Sequence, residues 1–598
     1  MYLALDFCPW TLTPITDDMP KRWRIANCDP LDVAALERAA GIPAVVAQLL
    51  MSRGIRDPRE ARQFLDPKLS GLREPAELPG AAAAAQLIFD AVEAKQRITI
   101  YGDYDADGMT ATAILLRCLR LLGANVDFYV PHRVDEGYSL NDEALRLLAE
   151  KGTKMVVTVD CGVASIAEAE LAKELGLTLI ITDHHQTAAT LPAAAAIVHP
   201  GLPGSKYPFP GLCGAAVAFK LAWSVCQCAS EGKKVSDRLR AFLLQAVGLA
   251  AIGTVCDVVP LIDENRILVR FGLNSLKAEP TVGIEALLRK TKLDEKTFLE
   301  GEDIGFVIGP RLNAAGRLGQ AEIAIELLTT DSQQRAGAIA QYIDELNSQR
   351  QSLERSIMLA ASKQIKALDD LNSAPAIVLT DHQWHPGIIG VVAGRLAEKF
   401  HRPVVLVAAD PLGIKPGIGS ARSVAGFNLH AALAECGHLL QSHGGHAAAA
   451  GLKIMPGKFD AFRDAFCQVA RERIDTENNS AELHIDAEAS LQMLTRQTVE
   501  QIESLAPFGH GNARPMLCAS KVRLTGQPKR MGATGHHLSM TFDQHGVKMR
   551  AVAFGGGDWQ EELARIDGPL SIAFRPVINR YRGRVSVEIH LDDWHVES

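Results

Sequence analysis

The chain is poor in the features that assign a class quickly. It has no long Gly/Ser/Pro tract and no long charge run, which excludes disorder for most of its 598 residues. Residues 1–20 carry Asp6, Asp17 and Asp18 and lack a basic start followed by an apolar core, so no secretory signal is expected. Paired CxxC motifs are missing: of eleven cysteines only Cys226 and Cys228 stand close, with no second half for a zinc ribbon. Free thiols suit a reducing cytosol, so a cytoplasmic protein with no membrane association is expected. The longest charge-free apolar run, residues 241–256, is too short to span a bilayer and contains Gln245; it reads as a buried core helix. A basic excess is missing too. The 62 Lys and Arg face 70 Asp and Glu, a net charge of −8, which argues against a protein that coats nucleic acid.

The charge is unevenly placed. Between Arg514 and Arg584 there are twelve Lys/Arg and five Asp/Glu, an excess of +7, so the remainder carries −15. An acidic whole with a basic strip still attracts a polyanion at the strip. At about 100–200 residues per domain the length implies three or four domains.

Apolar runs of five or six residues alternate with amphipathic helices from residue 82 onward: strands at 97–102, 126–130, 155–159 and 178–182, helices at 110–122, 141–150 and 165–175. That alternation predicts an α/β fold with a parallel, doubly wound sheet, whose ligands bind at the carboxyl ends of the strands. Residues 212–330 read as mostly helical. From 332 to 371 there is no proline, and Ile339, Ile343, Leu346, Leu353 and Ile357 keep a three-four spacing, which predicts one long connector helix. A second, smaller α/β region follows, with strands at 376–379 and 403–408 around a helix at 388–400. Short alternating strands after 480 predict a small barrel. The expected division is 1–80, an extension with no assigned role; 81–330, the first α/β domain; 331–372, the connector; 373–475, the second; and 476–598, the barrel.

Four strand or helix ends carry chemistry. They are Asp103-Tyr-Asp105-Ala-Asp107-Gly108, Val159-Asp160-Cys-Gly162, Asp183-His184-His185, and Gly253-Thr-Val-Cys-Asp257. Three carboxylates within five residues repel one another unless cations sit between them. Hard carboxylate oxygens with one or two imidazoles suit Mn²⁺ or Mg²⁺. A calcium EF-hand also opens Asp-x-Asp-x-Asp-Gly, but it needs Glu at position twelve and a preceding helix; Ile114 and a strand stand there.

In this order the motifs resemble the DHH phosphoesterases. Pro131-His-Arg133 with Glu136-Gly-Tyr138, Gly309-Pro-Arg311-Leu-Asn313-Ala-Ala-Gly-Arg317, Trp384-His385-Pro-Gly387, Gly419-Ser420-Ala-Arg422 and Gly444-Gly-His446 narrow the resemblance to the RecJ family. The resemblance covers about residues 80–598 and departs from the family pattern at Cys256, Ala216 and Ala513. It implies a DHH domain, a DHHA1 domain and an OB-like barrel. It implies an exonuclease that degrades single-stranded DNA 5′→3′ to 5′-mononucleotides, in recombination and mismatch repair. It further implies two Mn²⁺ or Mg²⁺ ions about 3.5–4 Å apart. Asp160 would bridge them, with Asp107, His184 and Asp257 on one ion and Asp103 and Asp105 on the other. Asp183 would join the metal ligands or orient His184 from behind, and His185 would face the scissile phosphate. Arg133, Ser420 and Arg422 would bind a 5′ phosphate. Arg311 and Asn313 would serve catalysis, and Arg317, His385 and His446 would line the DNA path.

On the barrel, Arg523, Arg530, Arg580, Tyr581, Arg582 and Arg584 are candidate contacts for single-stranded DNA, an aromatic interleaved with cations. The resemblance also implies a single-stranded-DNA-binding protein and a RecQ-type helicase as partners, and a monomer is expected. Two competing functions remain open: a DHH phosphodiesterase for short oligonucleotides or cyclic dinucleotides, and a non-catalytic replication scaffold on a DHH core.

Overall fold

The computed structural model describes residues 21–133, 136–137, 139–230, 235–367, 374–474, 482–532, 534–581 and 584–597. The chain divides into two compact units: one holds residues 72–479, the other holds both ends, up to 71 and from 480.

The end unit starts with strand β1 (Arg22–Ile25) and three helices, α1 (Pro30–Ala40), α2 (Ala44–Ser52) and α3 (Pro58–Leu65). The sequence suggests one helical stretch over 31–50. The chain breaks it instead, because Gly41 takes a left-handed φ of 71° and Pro43 starts the next helix.

The larger unit opens with α4 (Ala81–Glu93). It continues through β2 (Arg97–Tyr101), α5 (Ala106–Leu121), β3 (Asn125–Tyr129), α6 (Asp142–Glu150), β4 (Met155–Thr158), α7 (Ile166–Glu174), β5 (Thr178–Thr182) and β6 (Ala196–Val198). These five strands form a parallel sheet in the order β3-β2-β4-β5-β6. The order reverses between β2 and β4, the switch point at which such sheets hold ligands. Tyr101 stands opposite Thr158, so the segments carrying Asp103 and Asp160 leave the sheet side by side.

The helices α8 (Gly214–Cys228), α9 (Asp237–Cys256), α10 (Asp263–Ala278) and α11 (Val282–Thr291) come next. Among the described residues only α9 is long and apolar enough to cross a membrane. Here it packs on α5, α8 and α10, and Ala250, Ala251 and Ile252 are fully buried, so its apolarity serves the core. A short α12 (Gly301–Asp303) runs through a π turn (Ile304–Ile308) into α13 (Gly309–Arg317) and α14 (Ala321–Thr329).

The connector, α15 (Gln333–Lys366), is a continuous 34-residue helix, roughly 50 Å long. It packs on α11, α13 and α14 with its first half and on β7 (Ile377–Asp381) and α16 (Ile389–Phe400) with its second. The smaller sheet adds β8 (Val404–Ala408), β9 (Gly417–Arg422), β10 (Ser442–Gly445) and β11 (Ala449–Ile454), with α17 (Leu429–Glu435) and α18 (Phe459–Arg473) beside it. Its order is β10-β11-β9-β8-β7; only β7 and β8 are parallel.

The end unit resumes with β12 (Glu482–Ile485), β13 (Ala487–Glu488), α19 (Arg496–Glu503), β14 (Leu517–Leu524), β15 (Lys529–Met531), β16 (His537–Gln544), β17 (Val547–Ala553), β18 (Leu570–Tyr581) and β19 (Arg584–Val596). Pairing of β14 with both β18 and β16 closes a small barrel. The N-terminal segment completes this unit. β1 pairs with β12, and α2 buries Val45, Val46, Leu49 and Leu50 in one core with Leu517, Phe542 and Phe574.

Candidate metal and phosphate site

The acidic loop after β2 is built by helix capping. Asp105 is the N-cap of α5; its Oδ1 accepts from the backbone N–H groups of Asp107 (2.9 Å) and Gly108 (3.0 Å). The helix therefore starts at Ala106, four residues before the sequence-based boundary, and Asp107 lies inside its first turn. Asp107 in turn accepts from Gly214 N (2.7 Å) and Ala215 N (2.9 Å) at the start of α8. There is no room beside it: a Cβ at Gly253 would lie 2.3 Å from Asp107 Oδ1.

Three donor sets result. Asp103, Asp105 and Asp160 form one; Asp107, His184 and Asp257 form the second; Asp160, His184 and His185 form the third. His184 Nε2 lies 3.1 Å from Asp160 Oδ1, 3.6 Å from Asp257 Oδ2 and 3.8 Å from Asp107 Oδ2. Asp160 holds a left-handed φ of 62°, costly for a residue with a side chain and typical of a functional turn.

The electrostatics are those of a cation site. Burial and neighbouring carboxylates push Asp103 and Asp160 well above the usual carboxylate range. The same causes raise Asp107 to about 6 and Asp257 to about 8. Burial, then the charge of His185, lowers His184 to about 3, so its imidazole is neutral with a lone pair to give. Asp103 Oδ1 and His184 Nε2 are buried and accept or donate no hydrogen bond among the described residues. Buried acceptors left in this way fit a divalent ion.

Asp183 acts differently from the expectation. Its Oδ1 accepts from the N–H groups of His184 (2.7 Å) and His185 (3.0 Å) and contacts His185 Nδ1 at 2.8 Å; its Oδ2 accepts from Val163 N (2.9 Å). The ring it orients is that of His185. Burial opposes both charges, but their mutual bond overcomes it: Asp183 falls to about 2 and His185 rises to about 9.

The motif on α13 brackets this loop. Asn313 Oδ1 accepts from Ala106 N (2.9 Å), and a Cβ at Gly316 would lie 1.8 Å from the carbonyl oxygen of Tyr104. Arg311 is turned to the connector: its Nε and Nη2 both reach Asp344 Oδ1 at 2.9 Å, and its Nη1 donates to Val307 O. The Arg311 guanidinium and Asn313 Oδ1 are thus engaged by the protein itself, which gives both residues positioning contacts.

A basic cleft adjoins the acids. Arg133 lies over the Tyr104 ring at 4.7 Å. Arg422 donates to Ser420 Oγ (3.1 Å) near the start of α16, where a Cβ at Gly390 would lie 2.8 Å from Ser420 Oγ. Burial first, and then Arg133, Arg350 and Arg422, lower Arg317 to about 9. Guanidiniums gathered in this way at a helix N-terminus suit a phosphate. His385 Nδ1 accepts from Gly387 N (3.1 Å) and shapes the turn before α16, while His446 is exposed on the loop between β10 and β11.

On the barrel, Arg523, Arg530, Arg580 and Arg584 are exposed, the last two near the tip of the β18–β19 hairpin. Arg582 and the side chain of Tyr581 lie outside the described residues. The sequence reading missed an aromatic group: Phe554, 49% exposed, packs edge-on against His537 (5.4 Å) and His590 (4.9 Å). Arg514 and Arg575 act on His590 from nearby. The alternation Lys548, Arg550, Phe554 at the end of β17 was the available signal.

Three domain families match: the DHH family, N-terminal domain, over residues 97–253; the DHHA1 domain over 373–472; and the RecJ OB domain over 485–593. The single-stranded-DNA-specific exonuclease RecJ of Bacillus subtilis (strain 168) is 36% identical over 96% of this chain and 70% of the relative. That of Escherichia coli (strain K12) is 33% identical over 93% of this chain and 96% of the relative. The crystal structure of Thermus thermophilus RecJ in complex with Mn²⁺ superposes with a TM-score of 0.80 at 32% identity, over 96% of this chain and 80% of that one. The Mg²⁺ complex gives 0.75 at 31%, over 96% and 79%. Identity above 30% over nearly the whole length, with all three domain families in order along one chain, shows that this chain belongs to the RecJ family of single-stranded-DNA-specific exonucleases.

Proposed function

We propose that the protein is an exonuclease that removes 5′-mononucleotides from the 5′ end of single-stranded DNA, with Mn²⁺ or Mg²⁺ as cofactor. The carrying observation is the adjacency of two chemically opposite sites. Donor sets sharing Asp160 and His184 lie beside the arginines Arg133, Arg317 and Arg422. Asp103, Asp105 and Asp160 would hold one ion, and Asp107, His184 and Asp257 the other, with Asp160 between them. When bound, such ions make water a nucleophile at neutral pH and offset charge on the phosphate.

The protein's own groups supply the rest. Arg133, Ser420 and Arg422 hold the terminal 5′ phosphate. That fixes the next phosphorus against the acids. His185, kept cationic by Asp183, faces a non-bridging oxygen of that phosphate. Water adds to phosphorus, the bond to the terminal nucleotide's O3′ breaks, and that oxygen leaves as a hydroxyl. The shortened strand carries a new 5′ phosphate, so the pocket can be refilled. Residues 81–330 carry the chemistry in this reading, 373–475 together with Arg133 the terminal phosphate, and the end unit single-stranded DNA through Arg523, Arg530, Arg580, Arg582 and Arg584. His385 and His446 line the DNA path. We place the protein in the cytoplasm as a monomer, cooperating with a single-stranded-DNA-binding protein and a RecQ-type helicase in recombination and mismatch repair.

The test uses a 3′-labelled, 5′-phosphorylated single strand and the matching duplex. With Mn²⁺, mononucleotides should appear from the 5′ end of the single strand and EDTA should stop their release. Release from the 3′ end, or equal attack on the duplex, overturns the reading.

A further inference from the structure

The start of α16 is where α13, α15 and β9 come together. Arg317 Nη1 donates to Gly387 O (3.4 Å), and a Cβ at Gly387 would lie 2.3 Å from Arg317 O. On the other flank, a Cβ at Gly390 would lie 3.1 Å from Arg422 Nη2, and one at Gly394 3.9 Å from Arg422 Cγ. At the next residue, Arg395 forms an ion pair with Glu354 of α15. Glu354 is 3% exposed, and its other oxygen takes Arg350 Nη1 at 3.2 Å. Asn347, one turn before Arg350, is 4% exposed, and its Oδ1 has no hydrogen-bond partner among the described residues.

The connector therefore carries a polar strip, buried Asn347 and Glu354 with the mostly buried Arg350 between them, against α16 beside the basic cleft. For a strut this strip is costly. A buried carboxylate and guanidinium lose their hydration, and apolar residues would pack the same contact better. Arg317 also meets Arg350 as one of the three positive charges that act on it, with Arg133 and Arg422. Four converging guanidiniums repel one another, and Glu354 offsets only part of that repulsion. Asp105 acts on Arg317 from the acidic side, and a phosphate in the cleft would add a further counter-charge.

We propose that Arg350 grips a backbone phosphate of the single strand in this cleft, and that Glu354, clamped by Arg395, is the positioning residue that aims it. The proposal rests on the exonuclease reading above. It adds a contact from the connector helix itself, so that the strand is held by both domains and by the rod between them.

The experiment measures binding of the full-length protein to a 5′-phosphorylated single strand in EDTA across a KCl series. Arg350→Ala should weaken binding about tenfold and reduce the salt slope by about 0.7, the value for one phosphate contact on a single strand. Arg350→Lys should restore the slope. Glu354→Gln should weaken binding less than Arg350→Ala, and the double variant should bind no worse than Arg350→Ala alone, because both act through one guanidinium. An unchanged slope in Arg350→Ala, or additive losses in the double variant, would make the strip a structural strut and overturn the proposal. If the wild type bound with the expected slope changes in its variants yet released no nucleotide with Mn²⁺, the exonuclease reading would fail while the phosphate contact stood.

Discussion

Asn313 Oδ1 accepts a hydrogen bond from the backbone N–H of Ala106 at 2.9 Å, across 207 residues of chain. The bond caps the helix that carries Asp107 and holds the acidic loop in register with α13. Asn313→Ala should raise the Mn²⁺ concentration needed for half-maximal activity by about 10–100-fold, the usual effect of losing a residue that orients metal ligands. Saturating Mn²⁺ should recover part of the rate. A variant with the wild-type metal dependence would show that the cap does not govern the site.

Asp160 lies in two of the three donor sets, and its backbone is held at positive φ. Asp160→Ala should abolish nucleotide release and leave single-strand affinity within a few-fold, because the arginines of the cleft and the barrel are untouched. Gel-shift and release assays on the same preparation separate the two. Residual turnover above about one part in a thousand would remove Asp160 from the shared position.

The raised carboxyls give a pH signature. Asp107 at about 6 and Asp257 at about 8 are both above the unfolded value of about 3.9. A carboxyl raised in this way contributes stability that is fully present below its unfolded pKa and lost as pH rises through its folded pKa. The metal-free protein should therefore lose this contribution progressively from about pH 4, the unfolded value, up to the folded values, about 6 for Asp107 and about 8 for Asp257. Mn²⁺ needs the ionised forms, so its binding should release protons, and the gain in Tm over EDTA should be larger at pH 8 than at pH 6. Thermal melts with and without Mn²⁺ at both values check this; an equal or larger gain at pH 6 would contradict it.

Much of the candidate site was legible because its donor residues follow closely on apolar strands: Tyr101-Gly before Asp103, Thr158-Val before Asp160, Thr182-Asp before His184. Local pattern carries that information. What it does not carry is the partner of a side chain far along the chain. Arg311 belongs to a motif beside the acids, yet its guanidinium is fixed by Asp344, 33 residues later. Residues 21–71 offered no motif, because what they specify is a fit to a segment more than 400 residues away, just before β14: Arg53 donates to Asn512 Oδ1 (3.0 Å) and to Ala513 O (2.8 Å).

That long-range fit is itself testable. Leu49 and Leu50 are fully buried in the core shared with the barrel. Leu50→Ala should cost about 2–5 kcal/mol, the range for emptying a packed leucine site. The loss should appear in the melting of the end unit and as weaker single-strand binding. Hydrolysis of a dinucleotide should persist. Equal loss of both activities would mean that the N-terminal segment supports the catalytic unit as well.

The aromatic group on the barrel supplies the last test. Phe554 is half-exposed, held edge-on by His537 and His590, with Arg550 further along its strand. Rigid rings beside cations stack bases without reading their identity. Phe554→Ala should weaken binding to single strands by about 1–3 kcal/mol, the range for one stacked base, with little change in salt slope. Arg580→Ala and Arg584→Ala should do the opposite, lowering the slope with a smaller loss of affinity at high salt. The two outcomes assign stacking and charge to different residues of one barrel. If Phe554→Ala left affinity unchanged on strands long enough to reach the barrel, the exposed ring would have no part in holding DNA.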